Sequence, residues 1–362
     1  MDGLDLPPPV VPEGLLGVRT VPGGGSNGES EAPPRLRRGA PKPSSVVDLG
    51  EVRLPTPVMV AAGCFGPELA HLADVRKLGG IVSRSITLHA HHGVGSPRVT
   101  ETASGLLSTT GVQNDGLDAF LERELPVLAR TRVPVFVSVA GFSVEEYMQL
   151  AIALEAVSDV LAALEVNACC PSRDRGGSWF ADTPDGAAEV VGAVARLTHL
   201  PVFVKLSAAV GDVAAVAEAA VRGGALGVTL THSLPGLAVD PTSRMPRLAA
   251  GEGGLSGPAI RPIALRAVHR VASAMPATPI VGVGGIGTAD DAIEFLLAGA
   301  WAVQVGTALF ANPSAAVDVG RGIVEFLAAA GLRSVEDLRG RMGTPPSAQP
   351  EPATAAPPAP EG

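Results

Sequence analysis

Ile280 to Thr307 reads IVGVGGIGTADDAIEFLLAGAWAVQVGT. An apolar run, Ile280–Val283, passes through Gly282-Val-Gly-Gly-Ile-Gly287 into a helical stretch, Thr288–Ala298. A second apolar run, Ala302–Val305, ends in Gly306-Thr307. Strand, glycine turn, helix and strand make the βαβ unit. Runs that are mostly apolar, rather than alternating, suit strands buried on both faces, as in a parallel sheet.

The same alternation recurs upstream. Further apolar runs are Val58–Ala62, Ile81–Ser85, Val135–Val139, Ala163–Asn167, Val202–Lys205 and Gly227–Thr231. Helical stretches are Ser143–Glu155, Pro184–Leu197, Asp212–Arg222, Pro258–Met275 and Pro313–Ala329. Eight such units predict an α/β fold, the (β/α)8 TIM barrel. Two connections are long, 86–115 after the second run and 234–256 after the sixth. Both leave the C-terminal ends of strands, where barrels build their sites.

Residues 1–43 and 343–362 are rich in Pro, Gly, Ser and Glu without periodicity, and disorder is expected there. The barrel is expected over 44–342.

Hydrophobic residues make up 46% of the 362 and aromatics only 3%, so the core is read as mostly Val, Leu, Ala and Ile. The net charge of −9, without a basic stripe, argues against a nucleic-acid partner. The N-terminal MDGLDLPPPVVPEG lacks the features of a secretory signal. No apolar run approaches the ~18 residues needed to span a bilayer, so no membrane role is expected. Three cysteines, Cys64, Cys169 and Cys170, make no disulfide framework and suit a reducing, cytoplasmic setting. No Cys/His spacing resembles a metal site, and His89, His91 and His92 read as a polar loop.

Glycine turns after the seventh and eighth strands of a barrel commonly hold a phosphate. Their backbone N–H groups, with a helix N-terminus, supply the donors. A tight turn without ligand is the other reading. The literal GxGxxG match is discounted, because the dinucleotide fingerprint opens the first unit of a doubly wound sheet. Lys205, at the end of the fifth run among apolar residues, calls for an anionic partner. It could form a Schiff base, hold a phosphate or stabilise an anionic cofactor. Of the adjacent Cys169 and Cys170, one is expected to pack and the other to face the mouth, beside Asn167.

ALEVNACCPSRDRGG, VKLS, GGLSGPAIRPIAL, IVGVGGIGTADDAIEFLLAGA and AVQVGTALF resemble the class 1B dihydroorotate dehydrogenases. VAAGCFG, LGGIVSRSITL, SPRVTET and TGVQNDGLDAF extend the match, which covers about Val46 to Asn312. The resemblance implies an FMN-binding (β/α)8 barrel that oxidises dihydroorotate to orotate in pyrimidine biosynthesis. It implies Cys170 as the base and Lys205 beside the flavin. Asn167, Lys205, Gly257, Gly284, Gly285, Gly306 and Thr307 match the cofactor positions. A lowered Cys170 pKa would help it act as base. The resemblance also implies a partner subunit carrying FAD and an iron–sulfur cluster, and a homodimer.

Substrate positions fall on Arg84, Ser108, Gly111, Asn167, His232 and Ser233. Several depart from the family pattern. Arg84 replaces a lysine, and Ser108, Ser172, His232 and Ser138 replace asparagines; Ala62 replaces a serine. Serine cannot supply the paired donor and acceptor of a carboxamide. A second reading is therefore a diverged FMN oxidoreductase acting on another small, cyclic, anionic substrate. A third is a flavin-binding subunit without turnover.

Overall fold

The computed structural model describes residues 42–66, 72–173 and 175–343. The tails expected to be disordered fall outside the described residues, except at Lys42, Pro43 and Gly343.

Eight parallel strands close into a barrel in chain order. They are β1 (Val58–Val60), β2 (Gly80–Val82), β3 (Val135–Val139), β4 (Ala163–Asn167), β5 (Val202–Leu206), β6 (Gly227–Leu230), β7 (Ile280–Val283) and β8 (Ala302–Val305). Closure is made by β8 against β1, with Val303 opposite Val58 and Val305 opposite Val60. Every residue of these strands is buried, as expected of strands covered on one side by helices and on the other by the barrel interior. Inside, the Phe136 and Phe203 rings meet edge-on at 5.6 Å. Gly227 makes room for them, since a Cβ there would lie 2.5 Å from the Phe203 ring.

The outer layer holds α1 (Val144–Glu155), α2 (Pro184–Ala195), α3 (Val213–Arg222), α4 (Arg261–Ala274), α5 (Ala289–Leu297) and α6 (Ala315–Ala329). Side-chain oxygens of Ser143, Thr183 and Asp212 accept from the first-turn amides of α1, α2 and α3. These bonds satisfy donors that a helix start leaves open. The boundaries read from the sequence shift by a few residues. β1 stops at Val60 and β2 at Val82, short of Ala62 and Ser85, and α2 stops at Ala195 rather than Leu197. The stretch expected to be helical from Pro258 opens as a 3-10 turn, Pro258–Ile260, before α4.

The first two units depart most from the repeat. A single 3-10 turn, Val75–Lys77, lies between β1 and β2 among the described residues. After β2, the helical segment 116–130 contains a π turn at Phe120–Glu124. The two long connections carry short strands of their own. Leu234–Leu237, Glu252–Ser256, Gly105–Ser108 and Val99–Thr102 form a four-stranded antiparallel sheet in that order. This sheet joins the excursion after β2 to the one after β6, at the barrel's C-terminal mouth. A hairpin, Val47–Leu49 with Val52–Leu54, precedes the barrel. Among the described residues no helix is long and apolar enough to cross a membrane.

Candidate active site

The turns after β7 and β8 reach the mouth side by side. Gly284 and Gly285 carry positive φ, 131° and 75°. A Cβ on Gly285 would lie 2.7 Å from Arg261 Cβ and 2.8 Å from the Gly257 carbonyl oxygen, so a side chain cannot be added without displacing backbone. Gly257, at the end of the antiparallel sheet, closes the third side; a Cβ there would approach Thr307 Cγ2 to 3.5 Å. Gly257, Gly285, Ile286, Thr307 and Ala308 line one cavity of about 470 Å³.

Among the described residues, the backbone N–H groups of Gly285, Ile286, Thr307 and Ala308 donate to no protein acceptor. Ile286 is buried and Gly285, Thr307 and Ala308 are half-buried against this cavity, so the cradle offers a cluster of backbone donors of the kind that binds an anion. The helix N-terminus contributes less than the sequence implies. Asp291 Oδ2 already accepts from the Gly287 and Thr288 amides, at 3.0 and 2.9 Å. Thr288 and Asp291 cap α5 reciprocally, and Arg261 pairs with Asp291.

A polar tier lies just inside the mouth. Asn167 and Lys205 are paired across β4 and β5 and are both buried. Asn167 Nδ2 donates to Ser85 Oγ at 3.2 Å, and Ser85 and Ser138 share a hydrogen bond of 2.8 Å. One layer deeper, Lys205 Nζ stands 3.7 Å from Glu165 Oε1. Gly306 connects this tier to the cradle: a Cβ on it would lie 3.3 Å from Cys64 Sγ. Burial pushes the Cys64 thiol up to about 11 while the nearby Lys205 charge pulls the other way.

The expectation that one cysteine packs while its neighbour faces the open mouth needs correction. Both are buried, Cys169 at 6% exposure and Cys170 at 1%. Cys169 Sγ lies 3.7 Å from the Lys205 carbonyl oxygen. Cys170 faces Tyr147 of α1, and burial pushes its thiol up to about 12. The Tyr147 hydroxyl and the Gly141 N–H pull the other way without overcoming burial. The lowered pKa expected of a base is therefore not built into this pocket. Tyr147, the chain's one tyrosine, was not singled out by the sequence reading. Its hydroxyl donates to the Asn167 carbonyl at 2.6 Å and its ring packs edge-on against Phe180.

The substrate positions separate into two groups. His232 and Ser233 lie beside the Cys170 loop, with the Trp179 ring edge-on to His232 at 5.7 Å. Burial, and then the Lys205 charge, push the His232 imidazole down to about 4, so it is neutral at pH 7. Its Nδ1 lies 3.2 Å from Ser233 Oγ. Ser172 is fully buried, and its hydroxyl has no partner among the described residues.

Arg84 instead forms an ion pair with Glu124 at 3.5 Å. Its neighbour Ser85 points inward to Ser138 and Asn167. Alternation along an extended segment puts successive side chains on opposite faces, which turns Arg84 toward the outer segment. Ser108 sits in the antiparallel sheet opposite Gly254 and Val99. Gly111 has φ 64° and a Cβ there would touch Val94. Asn114 pins the same excursion: its Oδ1 accepts from the Thr87 and Gly116 amides, and its Nδ2 donates to the Val112 carbonyl.

Open backbone donors after β7 and β8, with a lysine and thiols buried near the strand ends, are the kind of site a (β/α)8 barrel enzyme builds at its C-terminal face. Comparison with known proteins narrows this class. The model of the family described as dihydroorotate dehydrogenase matches residues 45–327. A dihydroorotate dehydrogenase B (NAD(+)) catalytic subunit from Geotalea daltonii is 46% identical over 303 residues, 83% of this chain and 99% of that protein. The proteins of the same name from Geotalea uraniireducens and Alkaliphilus metalliredigens are 44% and 40% identical, over 84% and 82% of this chain and 99% and 98% of their own lengths. The chain belongs to the dihydroorotate dehydrogenase family, a family of flavin-dependent oxidoreductases acting on CH–CH bonds.

Proposed function

We propose that this chain is a catalytic subunit that oxidises dihydroorotate to orotate in pyrimidine biosynthesis, with FMN as its cofactor. The observation that carries this reading is the cluster of unbonded amides at Gly285, Ile286, Thr307 and Ala308, which line one cavity after β7 and β8. The cradle suits the FMN phosphate, with Gly257, Gly284, Gly285, Gly306 and Thr307 around it. Asn167 and Lys205 face the ring. The ring, when bound, supplies a two-electron acceptor.

The chain's own residues do the rest. Cys170 takes the proton from C5 of the substrate, and the C6 hydride would pass to the acceptor that the bound ring supplies. The Gly141 N–H supports the thiolate needed for this step, and the Tyr147 hydroxyl does so once it turns from the Asn167 carbonyl. His232, neutral, offers one donor or acceptor to the substrate ring rather than a charge. Ser172 and Ser233 add hydroxyls, and the burial of the pocket excludes water. Ser108 and Gly111 belong to the wall above it, and Arg84, paired with Glu124, braces the helical segment 116–130 outside it.

A second reading, oxidation of another small cyclic anion, rests on the neutral His232 and the unpartnered Ser172 hydroxyl. A site built for hydrogen bonds discriminates by roughly 10⁴ or more against a ligand that leaves them unpaired.

The relatives are named catalytic subunits, and we assign this chain a partner subunit carrying FAD and an iron–sulfur cluster. Its three cysteines are too few for a four-cysteine cluster. The free thiols Cys64, Cys169 and Cys170 suit a cytoplasmic setting. A homodimer completes the assignment.

Anaerobic mixing with dihydroorotate tests the reading. Prompt bleaching of bound flavin is expected. Flavin that is bound yet stays yellow moves the substrate to the second reading.

A further inference from the structure

Glu165 stands in the middle of β4, inside the barrel, and is fully buried. A carboxylate in that position is costly unless it is paired and hydrogen-bonded. The structure supplies both. Thr229 Oγ1 of β6 donates to Glu165 Oε2 at 3.0 Å, and Gln304 Nε2 of β8 donates to the same oxygen at 2.9 Å. These bonds fix one edge of the carboxylate. The other oxygen, Oε1, has no hydrogen-bond partner among the described residues and lies 3.7 Å from Lys205 Nζ.

That distance is an ion pair but too long for a good hydrogen bond. Among the described residues the Lys205 ammonium has no hydrogen-bonded acceptor, and its side chain is 8% exposed. It is therefore held by charge from below while its donors stay available toward the mouth. Its field reaches the rest of the site, pulling on both Cys64 and His232.

We propose that Glu165 is a positioning residue that sets the reduction potential of the bound flavin by offsetting the charge of Lys205. The inference rests on the flavin reading above. An oxidised flavin ring is neutral; two electrons and one proton leave it with a net charge of −1. That negative charge and Glu165 then compete for the same ammonium. Glu165 weakens the pull of Lys205 on the reduced ring and so keeps the potential lower than the lysine alone would set it. In a low-dielectric interior such opposed charges act strongly across a few ångströms. Thr229 and Gln304 serve by holding Oε2, so that Oε1 faces Lys205.

The test is the midpoint potential of the flavin-loaded protein at pH 7, by dye equilibration, for wild type, Glu165→Gln and Glu165→Asp. Glu165→Gln keeps the shape and removes the charge. Its two-electron equilibrium is expected to move about tenfold toward the reduced form, ~30 mV more positive. Glu165→Asp keeps the charge one methylene further off and is expected to shift less, with the same sign. It carries the test alone if Glu165→Gln does not fold or load. Flavin affinity and thermal unfolding are read alongside. A variant that only loses stability or affinity, at an unchanged potential, overturns the inference and leaves the flavin reading intact. A wild-type protein that takes up no flavin overturns the flavin reading itself.

Discussion

The cofactor half and the substrate half of the mouth are built in different ways. The cradle after β7 and β8 is made of backbone: glycines at positive φ, open amides and close approaches that no side chain would allow. The substrate half, between β2, β4 and β6, is made of side chains whose directions matter. Ser85 turns in and Arg84 turns out to Glu124; Cys170 turns to Tyr147. A backbone site tolerates few substitutions but recognises little more than an anion. A side-chain site can be rewritten residue by residue while the cradle stays, and here serines and a histidine stand in it.

Experiments can break or sharpen that contrast. The largest effect is expected from Cys170→Ser. Flavin reduction by dihydroorotate should slow by about 10²–10⁴-fold, the usual worth of a positioned base, with flavin still bound. Equal rates in stopped flow would remove Cys170 from the reaction. Gly285→Val acts on the other half. Forcing a branched residue to φ 75° against Arg261 costs roughly 1–3 kcal/mol. Flavin affinity should drop by about ten- to a hundredfold, measured by fluorescence quenching; retained affinity would show that the turn does not hold the cofactor.

The pH dependence follows from Cys170. A thiol held up near 12 carries little thiolate at neutral pH, and that fraction grows as pH rises. Flavin reduction should therefore still be climbing at alkaline pH, about tenfold per unit. Tyr147→Phe removes one group that favours the thiolate and should slow reduction about tenfold more at fixed pH. A profile that is already flat by neutrality contradicts this account of the pocket. The smallest effect is expected from His232→Asn, which restores a carboxamide. It should tighten dihydroorotate binding several-fold, by roughly the worth of one hydrogen bond; weaker binding would favour the second substrate class.

Much of this was legible in the sequence because periodicity and glycine spacing are backbone signals. The runs at Ile280–Val283 and Ala302–Val305 became β7 and β8 unchanged. The antiparallel sheet was not legible: its strands, such as Glu252–Ser256, are short, glycine-containing and half exposed. Glu165 carried a usable signal, since it alternates with Asn167 on one face of a buried strand. So did Arg84, one residue out of step with Ser83 and Ser85. Tyr147 had none, because an aromatic on the inward face of a helix reads as ordinary core. The depth of Cys170 was also hidden, because it depends on how α1 packs over the loop after β4.

The affinity of the flavin-free protein for FMN against riboflavin, which lacks the phosphate, tests the central claim most directly. FMN should bind at least a hundredfold more tightly, about 2.7 kcal/mol, and Gly285→Val should erase most of that preference. Equal affinity for the two flavins would contradict a phosphate cradle at Gly285, Ile286, Thr307 and Ala308.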